Sequence, residues 1–296
     1  MTDRSVEFNR HRRRLYGIAY RMLGSKADAE DMVQEAYVRW HQADVERVQT
    51  PEAWLVTTVT RLCIDRLRVA RTEREAYVGP WLPEPLVTES EQPERHAELA
   101  SDLSVAFLVM LERLGPEERA AFLLHEVFDS DYPDIARILG KSEAACRQIV
   151  HRARERARQD RPRFQVSEFA RKRLLERFMA ALRARDESAM LALMAEDVTW
   201  TSDGGGKAKA ARKIVKSAEH VARFVIGVWR RYLDRATHHF VSINGEPGIV
   251  MCVGGEAKSV MSVETDGLRI LAVYAMLNPD KLKGIAIPGI SRGISR

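Results

Sequence analysis

The sequence predicts two all-α domains followed by an α+β domain, and three observations support this order. Helical periodicity of apolar residues runs through residues 4–70 and resumes from about 100 to 158. Between residues 72 and 98 the pattern is interrupted by four prolines, which fix φ and remove backbone donors. After Val166, helical segments over 168–186, 187–196 and 211–233 accompany short alternating stretches that are typical of strands.

Composition excludes several classes of protein. The chain has 296 residues, 45% of them apolar and 30% charged, which excludes a disordered chain, a collagen-like fibre and a disulfide-stapled miniprotein. No apolar run reaches the ~18 residues of a membrane span, and the charged start lacks the apolar core of a signal peptide. We therefore expect a soluble, cytoplasmic protein. The net charge of +5 matters only where it is clustered.

The cysteines and histidines give no sign of a disulfide or metal framework. Cys63, Cys146 and Cys252 are odd in number and far apart, which indicates a reducing compartment. The adjacent His238 and His239 would point to opposite faces of a strand. The sequence predicts no metal site and no cofactor.

The strongest local motif is a helix-turn-helix in residues 132–158. A short helix over Asp134–Leu139 ends at Gly140, which can adopt the left-handed conformation of a tight turn. Ser142 would then cap a second helix, of the kind that enters the DNA major groove. The expected inward positions are Ile135, Ala136, Leu139, Cys146 and Ile149.

Positive charge is clustered on this second helix. Seven arginines against two acids lie between Arg147 and Arg163, as neutralisation of DNA phosphates requires. The alternative interpretation is an ordinary solvated basic face. We assign contacts with base edges or nearby phosphates to Arg147, Gln148, His151 and Arg152, and contacts with phosphates to Arg154, Arg156 and Arg158.

Three segments of the chain, in this order, are AEDMVQEAYVRW, PEAWLVTTVTRLCIDRLR and LERLGPEERAAFLLHEVFDSDYPDIARILGKSEAACRQIVHRAR. Together they resemble a bacterial extracytoplasmic-function (ECF) RNA polymerase sigma factor. The resemblance covers residues ~5–163. It implies that residues 1–72 form sigma domain 2, which binds the beta and beta-prime subunits of core RNA polymerase and the −10 promoter element. It also implies that residues 100–163 form sigma domain 4, which binds the −35 element.

The same resemblance assigns individual residues. The side chains expected to contact polymerase are Asp31, Gln34, Glu35 and Arg39, which from composition alone form an ordinary solvated face. The side chains expected at the −10 element are Thr60, Arg61, Asp65 and Arg68. The chain departs from the family at Arg61, where Asn is frequent, although a guanidinium can contact phosphate or stack on a base. Ser142 joins the −35 set as the cap of the second helix.

Three further motifs resemble the SigJ-type subgroup, in which a SnoaL-like domain follows the second sigma domain. They are YVGPWLPEP (77–85), DGGGK (203–207) and NPDKL (278–282). The resemblance implies a linker over 73–99, a SnoaL-like regulatory domain over 166–282 and a flexible tail over 283–296. In that subgroup the fused domain replaces a separate anti-sigma factor, so we expect none to be required.

We interpret the three motifs as one interdomain latch, the alternative being that each is merely a turn. The glycines would admit a close neighbour such as Trp81 or the linker prolines, with Lys207 reaching Glu84 or a carbonyl. DGGGK is not a phosphate-binding P-loop, because Thr201 and Ala208 replace its first glycine and its hydroxyl residue. The latch residues are Trp81, Leu82, Pro83, Glu84, Pro85, Asp203, Gly204, Gly205, Gly206, Lys207, Asn278, Pro279 and Asp280.

An enzymatic third domain is the competing interpretation. Relatives of the SnoaL-like fold use a buried Asp or His as an acid or base in a conical pocket. The candidate pocket residues are Trp200, Asp203, His238, His239 and Tyr274. Nothing in the sequence shows a carboxylate–histidine pair, so we expect no catalysis. A small-molecule enzyme, or a ligand-sensing domain with a small molecule in this pocket, carrying a DNA-binding module stays as the alternative.

Overall fold

The computed structural model describes residues 4–44, 48–88, 103–158, 166–230 and 235–285. The chain divides into two compact units. The N-terminal unit comprises Met1–Ala76 and Leu108–Arg161, and the C-terminal unit comprises Tyr77–Phe107 and Pro162–Arg296. Of the predicted linker over 73–99, residues 73–76 belong to the N-terminal unit and residues 77–88 to the C-terminal unit, while residues 89–99 lie outside the described residues.

Three long helices form the first part of the N-terminal unit. They are α1 (Arg4–Leu23), α2 (Lys26–Gln42) and α3 (Pro51–Glu75), and each packs against the other two. Ser25 caps α2, and Pro51 occupies the first position of α3, where a missing N–H has no cost. Their shared core includes the fully buried side chains Leu15, Trp40 and Leu55.

The predicted helix-turn-helix is present. Four helices lie in this part of the chain, α4 (Val105–Leu111), α5 (Pro116–Glu126), α6 (Tyr132–Leu139) and α7 (Glu143–Arg158). The last two, α6 and α7, form the helix-turn-helix. Gly140 adopts φ +65°, and the Ser142 hydroxyl accepts from the Ala145 N–H at 3.2 Å, as the sequence predicts. Two inward positions differ, because Ala136 and Leu139 are only partly buried and Ile138 instead accompanies Ile135 on the buried face of α6.

The C-terminal unit is the predicted α+β domain, with helices packed on a mixed sheet. The helices are α8 (Glu168–Ala184), α9 (Glu187–Leu193), α10 (Ala218–Trp229) and α11 (Pro279–Leu282). The strands are β1 (Val87–Thr88), β2 (Met194–Asp203), β3 (Val215–Lys216), β4 (Ala236–Ile243), β5 (Glu246–Val253), β6 (Glu256–Thr265) and β7 (Ile270–Met276). They follow the spatial order β1-β4-β5-β6-β7-β2-β3, with only the β2–β7 pair parallel among those described.

Two helix boundaries differ from the sequence prediction. The helix expected from Ala211 begins only at Ala218, because Val215 and Lys216 pair with β2 as a short strand. The helix expected over 187–196 ends at Leu193, since Met194 already begins β2. Of the predicted tail, residues 286–296 lie outside the described part of the chain.

No described helix has the length and apolarity that a membrane crossing requires. No described group of His, Cys, Asp and Glu side chains could hold a metal ion. The three cysteines are free and buried, so Cys146 is a core residue of the helix-turn-helix.

Candidate functional site

The carboxylate of Asp203, at the end of β2, joins the three motifs of the predicted latch. It is fully buried, and it accepts the Tyr77 hydroxyl at 2.6 Å on Oδ1. On Oδ2 it accepts the Leu82 N–H at 2.9 Å and the Lys281 ammonium at 2.7 Å. A buried carboxylate is tolerated only when it is paired and hydrogen-bonded, and these three donors meet that requirement.

Lys281 also binds the proline-rich segment directly, through Trp81 and Leu82. Its ammonium lies 4.1 Å from the ring centroid of Trp81 and also donates to the Leu82 carbonyl. The indole face attracts the cation, which at the same time neutralises Asp203. Trp81 therefore contacts a lysine of NPDKL rather than the glycines of DGGGK.

Within the latch, Tyr77 connects Asp203 to Asn278. Its hydroxyl accepts the Asn278 Nδ2–H at 2.8 Å while donating to Asp203. Burial, followed by the bond to Asp203, raises the pKa of Tyr77, so the phenol stays a donor at neutral pH. The Asn278 Oδ1 also caps α11 by accepting the Asp280 N–H at 3.1 Å.

The glycines of DGGGK make room for this contact. Gly205 has φ +57°, and a Cβ there would lie 2.3 Å from Asn278 Nδ2 and 2.8 Å from the Tyr77 hydroxyl. A Cβ on Gly206 would approach Val78, and one on Gly204 would collide with the Ala208 carbonyl within its own turn. The glycines thus pack against Tyr77, Val78 and Asn278, and the expectation of Trp81 or the prolines is wrong.

Lys207 also has a different partner from the one expected. Its ammonium pairs with Asp280, not with Glu84, because both lie beside the turn that Asn278 begins. Hydrogen bonds from Lys207 and then Lys283 lower the pKa of Asp280 to about 2. Pro279 supplies the first position of α11.

The rest of the linker segment runs along the same unit. Leu82, Pro83 and Pro85 are buried and Glu84 is half-buried. The Leu86 N–H donates to Asn244 Oδ1 at 3.0 Å, after which β1 pairs antiparallel with β4. Tyr77 and Lys281 lie inside the motifs read from the sequence, but their roles were not predicted from it, and nothing in the sequence marked Asn244.

Comparisons with known proteins agree with this architecture. Residues 8–73 match Sigma-70 region 2 and residues 104–156 match Sigma-70 region 4. The chain is 37% identical to the ECF RNA polymerase sigma factor SigJ of Mycobacterium tuberculosis (strain H37Rv), over 94% of this chain and 93% of that protein. It is 29% identical to the probable ECF sigma factor SigI of that species, over 94% of each chain. The SigJ crystal structure superposes with a TM-score of 0.77, covering 95% of this chain and 98% of SigJ.

The family follows from the identity and coverage. The chain belongs to the ECF RNA polymerase sigma factors. Its function is therefore that of an alternative sigma factor, which directs RNA polymerase to promoters.

The residues of this sigma factor assigned to polymerase lie on one face of α2. Asp31, Gln34 and Arg39 are exposed, and Glu35 is half-exposed. Arg39 Nε donates to Glu35 Oε1 at 2.8 Å along the helix, a surface pair of small energetic weight. The opposite face is buried, with Val33, Ala36 and Trp40 in the core.

The residues assigned to the −10 element are divided by the structure. Arg61, Asp65 and Arg68 are exposed on α3, but Thr60 is fully buried and its hydroxyl has no partner among the described residues. In this conformation Thr60 cannot contact a DNA strand, because its position in the helix turns it towards the core.

The two arginines of this set are engaged by sigma domain 4. Arg61 Nε donates to the Ile138 carbonyl and Nη2 to the Arg137 carbonyl, both at 2.9 Å, at the negative end of α6. Arg68 binds Asp65 at 2.9 Å and Glu117 at 3.1 Å. In the N-terminal unit, the face expected to meet the −10 element therefore packs against the helix-turn-helix.

The front of α7 presents the side chains expected at the −35 element. Ser142, Arg147, Gln148, His151 and Arg152 are all exposed. Arg147 pairs with Glu143 at 2.9 Å and lies 5.0 Å from the Tyr132 ring centroid, which orients it without burying it.

The arginines further along α7 face α5 instead. Arg154 binds Glu126 through Nε and Nη2, at 2.9 and 2.5 Å, and Arg156 binds Glu118 at 2.5 Å. A DNA phosphate would have to compete with these carboxylates. The side chain of Arg158 and residues 159–165, which include Arg161 and Arg163, lie outside the described residues.

The structure does not gather the candidate pocket residues into an acid–base pair. Asp203 binds Tyr77, Leu82 and Lys281, as described above. The Trp200 Nε1–H donates to Ser202 Oγ at 2.8 Å, and Trp200 belongs to the buried apolar cluster of the C-terminal unit. His238 lies against Trp229, with ring centroids 4.6 Å apart and the ring planes tilted by 35°. His239 pairs with Thr237 at 3.1 Å, and Tyr274 donates to Glu264 at 3.3 Å.

Burial is also the main cause of the low pKa of His238. Desolvation, with added repulsion from Arg183, lowers its pKa to about 4, so the ring is neutral at physiological pH.

Proposed function

We propose that the C-terminal unit regulates this sigma factor in cis, without catalysis and without a separate anti-sigma factor, on core polymerase in the cytoplasm. The observation that supports this is the buried Asp203, which binds the segment that leaves sigma domain 2. Asp203 is the strongest catalytic candidate in the unit, and its carboxylate is already occupied by three donors from the latch.

The latch would act through the chain connection to α3. Tyr77 follows Glu75, the last residue of α3, after a single intervening residue. Fixing Tyr77 and Leu82 therefore restricts how the −10 helix can move relative to the chain that leads to sigma domain 4. The two promoter contacts would be made together only in orientations that this anchored segment allows.

We also infer that the described N-terminal unit is a resting arrangement. Arg61 and Arg68 are held by carbonyls of α6 and by Glu117, so their release precedes any contact with the −10 strand. The test of the cis-regulatory role is run-off transcription with purified core polymerase, comparing the full chain with one that ends at Arg163. A promoter selected with the full chain is used for both, and equal initiation by the two proteins would contradict the proposal.

Replacing both Asp31 and Glu35 with alanine should weaken binding to core polymerase strongly. The two carboxylates lie on the exposed face of α2, so their loss removes charge without opening the core. We expect at least a tenfold weaker affinity, on the scale of about 1.4 kcal/mol per factor of ten, measured by fluorescence anisotropy. Glu176→Ala with Glu196→Ala removes the same charge from exposed sites of the C-terminal unit, and equal effects of the two pairs would contradict the assignment.

Arg147→Ala should change promoter selectivity, whereas Arg158→Ala, at a position predicted to contact phosphate, should weaken binding to all promoter sequences alike. Arg147 lies in the first turns of α7, where side chains of a recognition helix reach base edges. A lost base contact costs about 1–3 kcal/mol at one position, while a lost phosphate contact weakens every sequence alike. Selection from a random promoter library with each variant distinguishes the two effects, and an unchanged −35 consensus for Arg147→Ala would remove it from base readout.

A further inference from the structure

A basic cavity lies in the N-terminal unit, and one of its lining residues, Arg156, also belongs to the arginines predicted to contact −35 phosphates. Its volume is about 500 Å³, within the range of small-molecule sites. It is bounded by the end of α3, the turn between α4 and α5, and one residue of α7. We call it the arginine cavity, after its five arginines, Arg71, Arg74, Arg113, Arg119 and Arg156.

Arg119, one of the lining residues, has a buried donor without a partner in the described part of the chain. The residue is only 2% exposed, and its Nη1 donates to the Met22 carbonyl at 2.6 Å and to Glu112 at 2.7 Å. Its Nε–H has no hydrogen-bond partner among the described residues. A buried donor without an acceptor is costly, and folded proteins rarely leave one unless something else fills the place.

The charges around this donor are unbalanced. Arg74 and Arg119 share the single carboxylate of Glu112. Burial lowers the pKa of Arg74, and although Glu112 opposes this, the positive charge of Arg119 adds to it. The lining has five arginines against the three acids Glu75, Glu112 and Glu118, a formal excess of two positive charges. An anion in the cavity would relieve this repulsion.

We infer that the arginine cavity binds the phosphate groups of a small soluble anion of the pyrophosphate or nucleotide class. Guanidinium groups bind phosphate oxygens in pairs of parallel hydrogen bonds, and several converge here on one partly enclosed space. The occupant would contact α3 of sigma domain 2 together with α5 and α7 of sigma domain 4. It therefore stabilises the resting arrangement of this unit, a consequence that depends on the proposed function above.

The test is calorimetric titration of the full chain with inorganic pyrophosphate at low salt. The site variant is Arg71→Gln with Arg156→Gln, whose side chains are 76% and 53% exposed, so the fold should survive. Its control is Arg10→Gln with Arg12→Gln, which removes the same charge from exposed positions of α1 in the same unit. We expect at least tenfold weaker binding for the site variant and an unchanged affinity for the control.

A second variant is expected to strengthen pyrophosphate binding instead of weakening it. Glu75→Gln removes a carboxylate from the rim, so pyrophosphate should bind several-fold more tightly while the fold is retained. A nucleoside triphosphate and a short duplex without promoter sequence are titrated in parallel, because nucleic acid could supply the same phosphate chemistry.

Retention of pyrophosphate binding by Arg71→Gln with Arg156→Gln would overturn the proposal, as would binding of the duplex alone. These titrations contain neither polymerase nor promoter. A failure here is therefore separate from a failure of the cis-regulatory proposal, which run-off transcription measures.

Discussion

Asp203→Asn is expected to detach the linker segment from the C-terminal unit, at a cost of about 3–5 kcal/mol. The asparagine has nearly the same shape but leaves the Lys281 ammonium, only 13% exposed, without its counter-charge. Its amide also cannot accept from Tyr77, Leu82 and Lys281 in the way two carboxylate oxygens do. The most direct readout is hydrogen exchange at the Leu82 amide, whose acceptor is Asp203 Oδ2. Exchange there should accelerate by roughly two to three orders of magnitude.

Controls separate the latch from a general loss of charge. Glu196→Gln removes a carboxylate from an exposed position on the same strand and should leave Leu82 protected. Lys281→Met alone should also be harmful, because Asp203 would then be buried without a cation. The double variant should lose less stability than the sum of the single variants, since neither charge remains alone. Unchanged exchange at Leu82 in Asp203→Asn would contradict the role assigned to this carboxylate.

Turns and helix caps could be predicted because they depend on the backbone preferences of a few neighbouring residues. The turn at Gly140 and the cap at Ser142 follow from backbone preferences of single residues, and the structure has both. The strands of the C-terminal unit were also recognisable from alternation, whereas the start of α10 was not. There, Val215 and Lys216 form a strand only because β2 offers them a pairing edge.

The latch illustrates what one sequence leaves open. Its motifs were identified as a group, yet the partners within it were assigned wrongly. Lys207 and Lys281 are chemically equivalent in the sequence, and only the fold brings Lys281 to Asp203 and sends Lys207 to Asp280. Tyr77 and Asp203 are separated by 126 residues, so no local pattern could pair them.

The residues assigned to the −10 element show that the exposure of each side chain also could not be predicted from the sequence. The resemblance assigned Thr60 and Arg61 as neighbours in one site, but adjacent residues on a helix point about 100° apart. Thr60 turns inward, and Arg61 turns outward to the carbonyls that end α6. The exposure of each position, and the engagement of Arg61 by sigma domain 4, follow from long-range packing.

Glu112→Gln is expected to have the second large effect, lowering the stability of the N-terminal unit by about 3 kcal/mol. Glu112 is the carboxylate that both Arg74 and Arg119 bind, and Arg119 is almost wholly buried. Without it, two guanidinium groups would face each other with no shared counter-charge. Hydrogen exchange in α5 of the full chain measures the loss without assuming that the two units unfold together.

Glu35→Gln is the matched control for Glu112→Gln. It breaks an exposed Glu–Arg pair on α2 of the same unit and should cost only about 0–1 kcal/mol. Pyrophosphate should restore part of the stability lost in Glu112→Gln, because the anion in the arginine cavity would supply the missing negative charge. It should protect Glu35→Gln no more than the unsubstituted chain. Equal losses in the two variants would mean that Glu112 is no more than a surface charge, and that Arg119 has another counter-charge.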